Sequence, residues 1–225
     1  MNLPGLNDFI DIHNHGAVPA AGIFQVENIN ANQPKEPDNT HGLAYTVGIH
    51  PWYLTEENFQ EQIEKVIIDS NHENVIALGE AGFDKIKGPS IDFQREAFVR
   101  QIVLSEETGK PLYIHCVRAW EELISVRKNF KPKLPWLVHG FRGKSELALQ
   151  LISKGIYLSF WCDFIIRPEA EHLIKSVPPE NFFLETDGCE IEIVTIYNKV
   201  SEALGVTVEE LKRQIYSNYM TFFGI

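Results

Sequence analysis

Phe9-Ile10-Asp11-Ile12-His13-Asn14-His15-Gly16 is a short apolar run that closes in Asp-x-His-x-His and a glycine. Such a run reads as a buried strand whose last residues emerge at the rim of a sheet. Side chains two apart on a strand share a face. His13 and His15 can therefore aim two imidazoles at one point, the geometry of a pair of metal ligands. Asp11 lies on the same face one step deeper, where a carboxylate can orient a ligand. On its own, His-x-His fits two loop histidines as well as it fits a metal pair. The weight comes from what recurs downstream.

The chain has 225 residues, 44% of them hydrophobic and 23% charged. That is ordinary globular composition, long enough for a sizeable core. The formal charge of −11 argues against a protein that coats DNA irrespective of sequence, because such binding rests on many Lys and Arg contacts to phosphate. Cys116, Cys162 and Cys189 form no Cys-x-x-Cys and are too few for a disulfide framework. A reducing cytoplasm is the expected location. No signal peptide, no membrane span and no obligate protein partner are expected.

Short apolar runs alternate with amphipathic stretches. Strands are expected at residues 9–12, 43–49, 74–78, 112–114, 136–138, 156–160 and 182–184, with a doubtful one at 23–29. Helices are expected at 56–70 behind Thr55, at 90–108 behind Ser90 and stopped by Gly109, and at 120–130, 145–154 and 168–177. Two more follow at about 191–204 and 208–222, the last opened by a Thr207/Glu210 capping box. The pattern predicts one α/β domain over residues 1–225, a TIM-type (β/α)8 barrel. Residues 17–42 leave too little chain for a crossover helix, so the first one is shortened or missing.

Strand after strand ends in a metal-binding side chain: His13 and His15, then His50, Glu80, His115, His139 and Asp187. In a parallel barrel all strand C-termini meet at one face, where active sites sit. Any one of these histidines taken singly is more often a hydrogen-bonded rim residue. Their recurrence at successive strand ends argues for a two-metal site holding Zn²⁺, Mn²⁺, Mg²⁺ or a similar ion.

The ordered set Asp11-x-His13-x-His15, Gly48-Ile-His50-Pro51, Gly79-Glu80-Ala-Gly-Phe-Asp84, Pro111-x-x-Ile-His115, His139-Gly-Phe-Arg-Gly143 and Glu185-Thr-Asp187 resembles the motifs of the TatD-type metal-dependent hydrolases, as does the tail Asn218-Tyr-Met-Thr-Phe-Phe. The resemblance implies that His13, His15 and Asp187 hold a first divalent ion, that His115 and His139 hold a second, and that Glu80 bridges them. It places His50 near a scissile phosphate. Arg118 and Arg142 are substrate-contact candidates; solvated loop arginines are the plain alternative. Trp52, Trp120 and Trp161 follow strand ends, where an aromatic ring either stacks on a base or packs the upper layer. Asp84 either orients a ligand or caps its own loop.

The expected activity is hydrolysis of phosphodiester bonds by a metal-activated water, with Asp187 as proton acceptor and Glu80 beside it in the catalytic set. The expected substrate is DNA ends cut by a 3′–5′ exodeoxyribonuclease, or a small phosphoester. An amidohydrolase acting on a small ester or amide is the alternative, although no strand ends in the bridging lysine common there. A barrel without catalysis, serving as a binding protein, is a third reading. The chain departs from the family pattern after His115, where Cys-Val precede Arg118, and after Asp187, where Glu190 and Glu192 make the loop acidic.

Overall fold

The computed structural model describes residues 1–165 and 167–225, with the side chains of residues 163 and 164 left aside. Its strands are β1 Phe9–Asn14, β2 Ile23–Asn30, β3 Leu43–Gly48, β4 Val75–Asp84, β5 Leu112–Val117, β6 Trp136–Phe141, β7 Ile156–Trp161 and β8 Phe182–Glu185. Its α-helices are α1 Phe59–Asp69, α2 Ile91–Thr108, α3 Trp120–Phe130, α4 Ser145–Ile152, α5 Cys162–Ile165, α6 Ala170–Ser176, α7 Ile193–Leu204 and α8 Val208–Phe223. The chain falls into two compact units, one of residues 1, 28–39 and 45–138, the other of residues 2–27, 40–44 and 139–225.

In the first unit β3, β4, β5 and the start of β6 pair in parallel, with Tyr45 opposite Val75, Gly82 opposite His115 and Leu112 opposite Trp136. Every residue of β3 and β4 is buried. Burial on both faces explains why these strands read as continuous apolar runs and not as alternating ones. A Cβ built on Gly48 would come within 2.6 Å of the Gly79 backbone, so the two strands approach where neither carries a side chain. Ser90 Oγ accepts from Phe93 N and opens α2; Gly109, at φ 68°, closes it. Phe98 of that helix meets Phe83 and Trp136 at ring separations of 5.2 and 5.3 Å. α1 starts at Phe59, later than the expected Glu56. Thr55 Oγ1 accepts from Asn58 N while Asn58 Oδ1 accepts from Thr55 N, so the predicted cap closes a separate turn ahead of the helix.

In the second unit β1 pairs in parallel with β2, Phe9 opposite Ile23, and β7 with β8, Leu158 opposite Phe182. β1 also lies against β8, and just beyond it Asp187 N donates to His13 O at 3.0 Å. The doubtful strand at 23–29 is real, and no helix separates it from β1. Residues 15–22 link the two strands through a bend at 15–16 and a turn at 21–22, with Gly16 at φ 71° and Gly22 at φ 73°. Tyr197 of α7 places its hydroxyl between the amide and carbonyl of Ile10, 3.1 Å from each. The capping box of α8 forms as expected, and Asn218 donates to the carbonyls of Pro179 and Phe182.

The cysteines differ from the sequence reading. A disulfide joins Cys162, at the start of α5, to Cys189, in the loop after β8. The two are 27 residues apart and sit on elements that only the folded unit brings together. Among the described residues, no helix is long and apolar enough to cross a membrane.

Candidate metal centre

In the second unit the alternation of β1 works as expected. His13 is fully buried and His15 half-exposed, their rings perpendicular with centroids 5.0 Å apart. Asp187 follows β8 with φ 51°, in the left-handed region that few residues other than glycine adopt. Its Oδ1 stands 3.5 Å from His13 Nε2 and 3.4 Å from His15 Nε2. Burial works to raise the Asp187 pKa, but the neighbouring imidazoles of His13, His15 and His139 hold the carboxyl far below the usual range. His139, on β6, brings its ring within 4.4 Å of His13.

Glu185 is a member of this group that sequence reasoning missed. Its Oε1 accepts from Gly140 N at 2.5 Å and lies 3.8 Å from His139 Nδ1, and its Oε2 accepts from Ser159 Oγ. The signal was available: Glu185 and Asp187 are two apart at a strand end, as His13 and His15 are. Donor atoms of His139, Glu185 and Asp187 lie within 4.8 Å of one another, as do those of His13, His15 and Asp187.

Asp11 does not orient a ligand as expected. Its carboxylate accepts from Thr186 N at 2.9 Å, Thr186 Oγ1 at 2.6 Å and Asn14 Nδ2 at 2.9 Å, clasping β1 to the segment that carries Asp187. Burial raises its pKa to about 6, against the pull of those hydrogen bonds.

In the first unit His50, Glu80 and His115 bring donor atoms within 4.8 Å of one another. Glu80 Oε2 is 3.4 Å from His50 Nε2 and 3.5 Å from His115 Nδ1. The two histidines have opposite polarity. His115 turns Nε2 to Asp84 Oδ2 at 3.0 Å, so the carboxylate holds the proton there and leaves the Nδ1 lone pair facing Glu80. His50 Nδ1 accepts from Trp52 N at 3.0 Å, so a neutral His50 carries its proton on Nε2, the atom facing Glu80. His115 thus turns a lone pair, and a neutral His50 an N–H, towards Glu80. Asp84 caps its own loop, Oδ1 accepting from Ile86 N and Lys87 N, while Oδ2 faces His115 and accepts from Trp52 Nε1.

These donor sets fit divalent ions. Separations of 3.4 to 3.5 Å between imidazole nitrogen and carboxylate oxygen exceed the usual hydrogen-bond length. Two ligands each about 2.1 Å from a tetrahedral ion stand roughly 3.4 Å apart. Nitrogen and carboxylate donors suit zinc or manganese.

The structure puts Arg118 on the surface just past β5, at φ 54°. Arg142 is exposed just past β6, its guanidinium 4.7 Å from the Trp161 ring centroid. Trp120 is the first residue of α3, and Trp52 lies in a 3₁₀ turn, Pro51–Tyr53, directly after His50.

Solved structures show the fold. A TatD homologue from Escherichia coli K12, YjjV, superposes with a TM-score of 0.77 at 18% identity, covering 98% of this chain and 100% of that one. A TatD-family hydrolase from Entamoeba histolytica gives 0.78 at 18% identity, with 99% of each chain covered. The fold is the expected TIM type, eight parallel strands in sequence order alternating with helices. Among sequence relatives, a 3′-5′ ssDNA/RNA exonuclease TatD of Escherichia fergusonii is 32% identical over 149 residues, 64% of this chain and 56% of that protein. The match thus spans little more than half of that relative's length. A metal-dependent hydrolase of Methanocaldococcus jannaschii is 26% identical over 196 residues, 81% of this chain and 76% of that one. The model of the TatD-related DNases matches residues 26–224, beginning after the Asp-x-His-x-His strand and continuing through every other ligand-bearing strand end. That match covers well over half of the chain, which therefore belongs to the TatD-related DNase family.

Proposed function

We propose that the protein is a divalent-metal-dependent hydrolase of phosphodiester bonds acting on the ends of single-stranded DNA. The observation that carries this is the spacing of the imidazole and carboxylate donors, which is that of ligands around an ion. His13, His15 and Asp187 would hold one ion, with His139 and Glu185 beside them; His115 and Glu80 would hold another. Bound there, such ions supply charge neutralisation at the phosphate and a lowered pKa for water. His50 presents an Nε2 proton, which suits it to donate to a phosphate oxygen. Asp187, a carboxylate just past β8 beside His13 and His15, is the proton acceptor. Arg118 and Arg142 supply cations for the phosphate backbone. The exonuclease names of the relatives support DNA over a small ester, and the same names support 3′–5′ polarity.

The test is an end-labelled single-stranded oligonucleotide beside bis(p-nitrophenyl) phosphate, with Mn²⁺, Zn²⁺ or Mg²⁺ and with EDTA. Laddering from the 3′ end that EDTA abolishes is the expected result. Turnover that survives complete chelation would exclude the proposal.

A further inference from the structure

Lys87, in the first unit, is an exposed lysine seated on an aromatic pair. Its ammonium lies 3.9 Å from the centroid of the Trp52 indole and 6.0 Å from that of Tyr53, cation–π range in both cases. Neighbouring Lys85 is paired with Glu122 at 2.7 Å, whereas among the described residues no acid pairs with Lys87. The backbone beneath is fixed, because Lys87 N donates to Asp84 Oδ1. The indole is fixed by the same carboxylate, Trp52 Nε1 donating to Asp84 Oδ2 at 2.6 Å. That oxygen also faces His115, and the Trp52 ring lies 4.8 Å from His50 and 5.4 Å from His115, centroid to centroid. One carboxylate therefore sets the His115 ligand, the indole and the lysine seated on it.

We infer that Lys87, held on Trp52, is an anion subsite for a second phosphate of the substrate, next to the His50–Glu80–His115 group. This deepens the phosphodiesterase reading and rests on it: such a subsite selects a polyanion, a nucleic acid strand, over a lone diester. An exposed lysine tethered only by its stem would lose more side-chain entropy on gripping a phosphate; the aromatic seat has already restricted it. In a chain of net charge −11, a held and unpaired cation beside the ligand group is also where an anion can gain attraction.

The experiment is fluorescence anisotropy of a labelled oligothymidylate with the full chain in EDTA, which stops the proposed turnover, read as log affinity against log salt. Lys87→Ala lowers the slope by about 0.7, the value of one single-strand phosphate contact. Lys131→Ala, on the C-terminal cap of α3, leaves the slope as it was. Trp52→Leu weakens binding although the charge is kept. An unchanged slope in Lys87→Ala, or an equal change in Lys131→Ala, overturns the subsite. Turnover of the same oligonucleotide is scored separately, so that loss of the phosphodiesterase reading and loss of the subsite give different results.

Discussion

Asp84 holds His115 from behind: its Oδ2 lies 3.0 Å from His115 Nε2, the ring nitrogen opposite the one turned to Glu80. A carboxylate in that position favours the tautomer whose Nδ1 lone pair faces Glu80. Asp84→Asn keeps an Oδ1 acceptor for Ile86 N and Lys87 N but no longer favours a proton on Nε2. Divalent-ion affinity is expected to fall by about 10- to 100-fold, measured by calorimetric titration, with the circular dichroism spectrum unchanged.

The same carboxylate makes the metal-free protein sensitive to acid. Burial pushes the Asp84 pKa up, but hydrogen bonds from Trp52, His115 and two backbone amides bring it below its ordinary value of 3.8. A carboxyl with a depressed native pKa contributes stability that is whole above the unfolded value and is lost as pH falls through the native one. Melting temperature against pH below 4 should therefore decline less steeply in Asp84→Asn.

Asp187 sits at φ 51°, a conformation that asparagine tolerates. Asp187→Asn therefore removes the charge without disturbing the turn. Metal-dependent turnover is expected to drop by at least about a hundredfold, and Glu80→Ala should do the same, with both variants melting cooperatively. Retained turnover in either variant at stoichiometric metal content would remove that residue from the catalytic set.

Gly48 has no space for a side chain, since the backbone atoms of Gly79 would meet its Cβ at 2.6 to 2.8 Å. Backbone cannot rotate away as a side chain can. Gly48→Ala is expected to cost about 1–3 kcal/mol of stability and to displace the strand that carries Glu80. Thermal denaturation and metal affinity should fall together.

Cys162 and Cys189 close a loop that contains Asp187. Removing the bond by Cys189→Ser, or by a reductant, is expected to lower stability by about 2–4 kcal/mol through the freer unfolded chain. Denaturant midpoints with and without dithiothreitol measure it, and Cys189→Ser should abolish the difference.

Much of this architecture is written in local pattern. His13 and His15 are two apart on a strand, Ser90 and Thr207 cap helices where their side chains can reach an amide, and Gly109 stops a helix because it alone tolerates the turn cheaply. What sequence reading missed depends on partners distant along the chain. Glu185 looked like a strand residue because its partners, Gly140 and Ser159, lie on other strands. Asp11 looked like a ligand's support, yet it bonds Thr186, 175 residues away. The Cys162–Cys189 bond likewise rests on geometry that no window of neighbouring residues contains, whereas the helix-free link from β1 to β2 was legible, because the segment between them is too short for a crossover helix. Thr55 shows the reverse failure, a correct local signal spent on a turn and not on the helix behind it.

The Asp11–Thr186 clasp has a consequence for biosynthesis. A ribosome makes His13 and His15 long before Asp187, so the nascent chain carries two imidazoles whose anionic counterpart has not yet been made. A polypeptide broken off before Thr186 retains both histidines yet lacks Asp187 and the clasp. Assembly of that group therefore waits until the chain has been translated past Thr186 and Asp187.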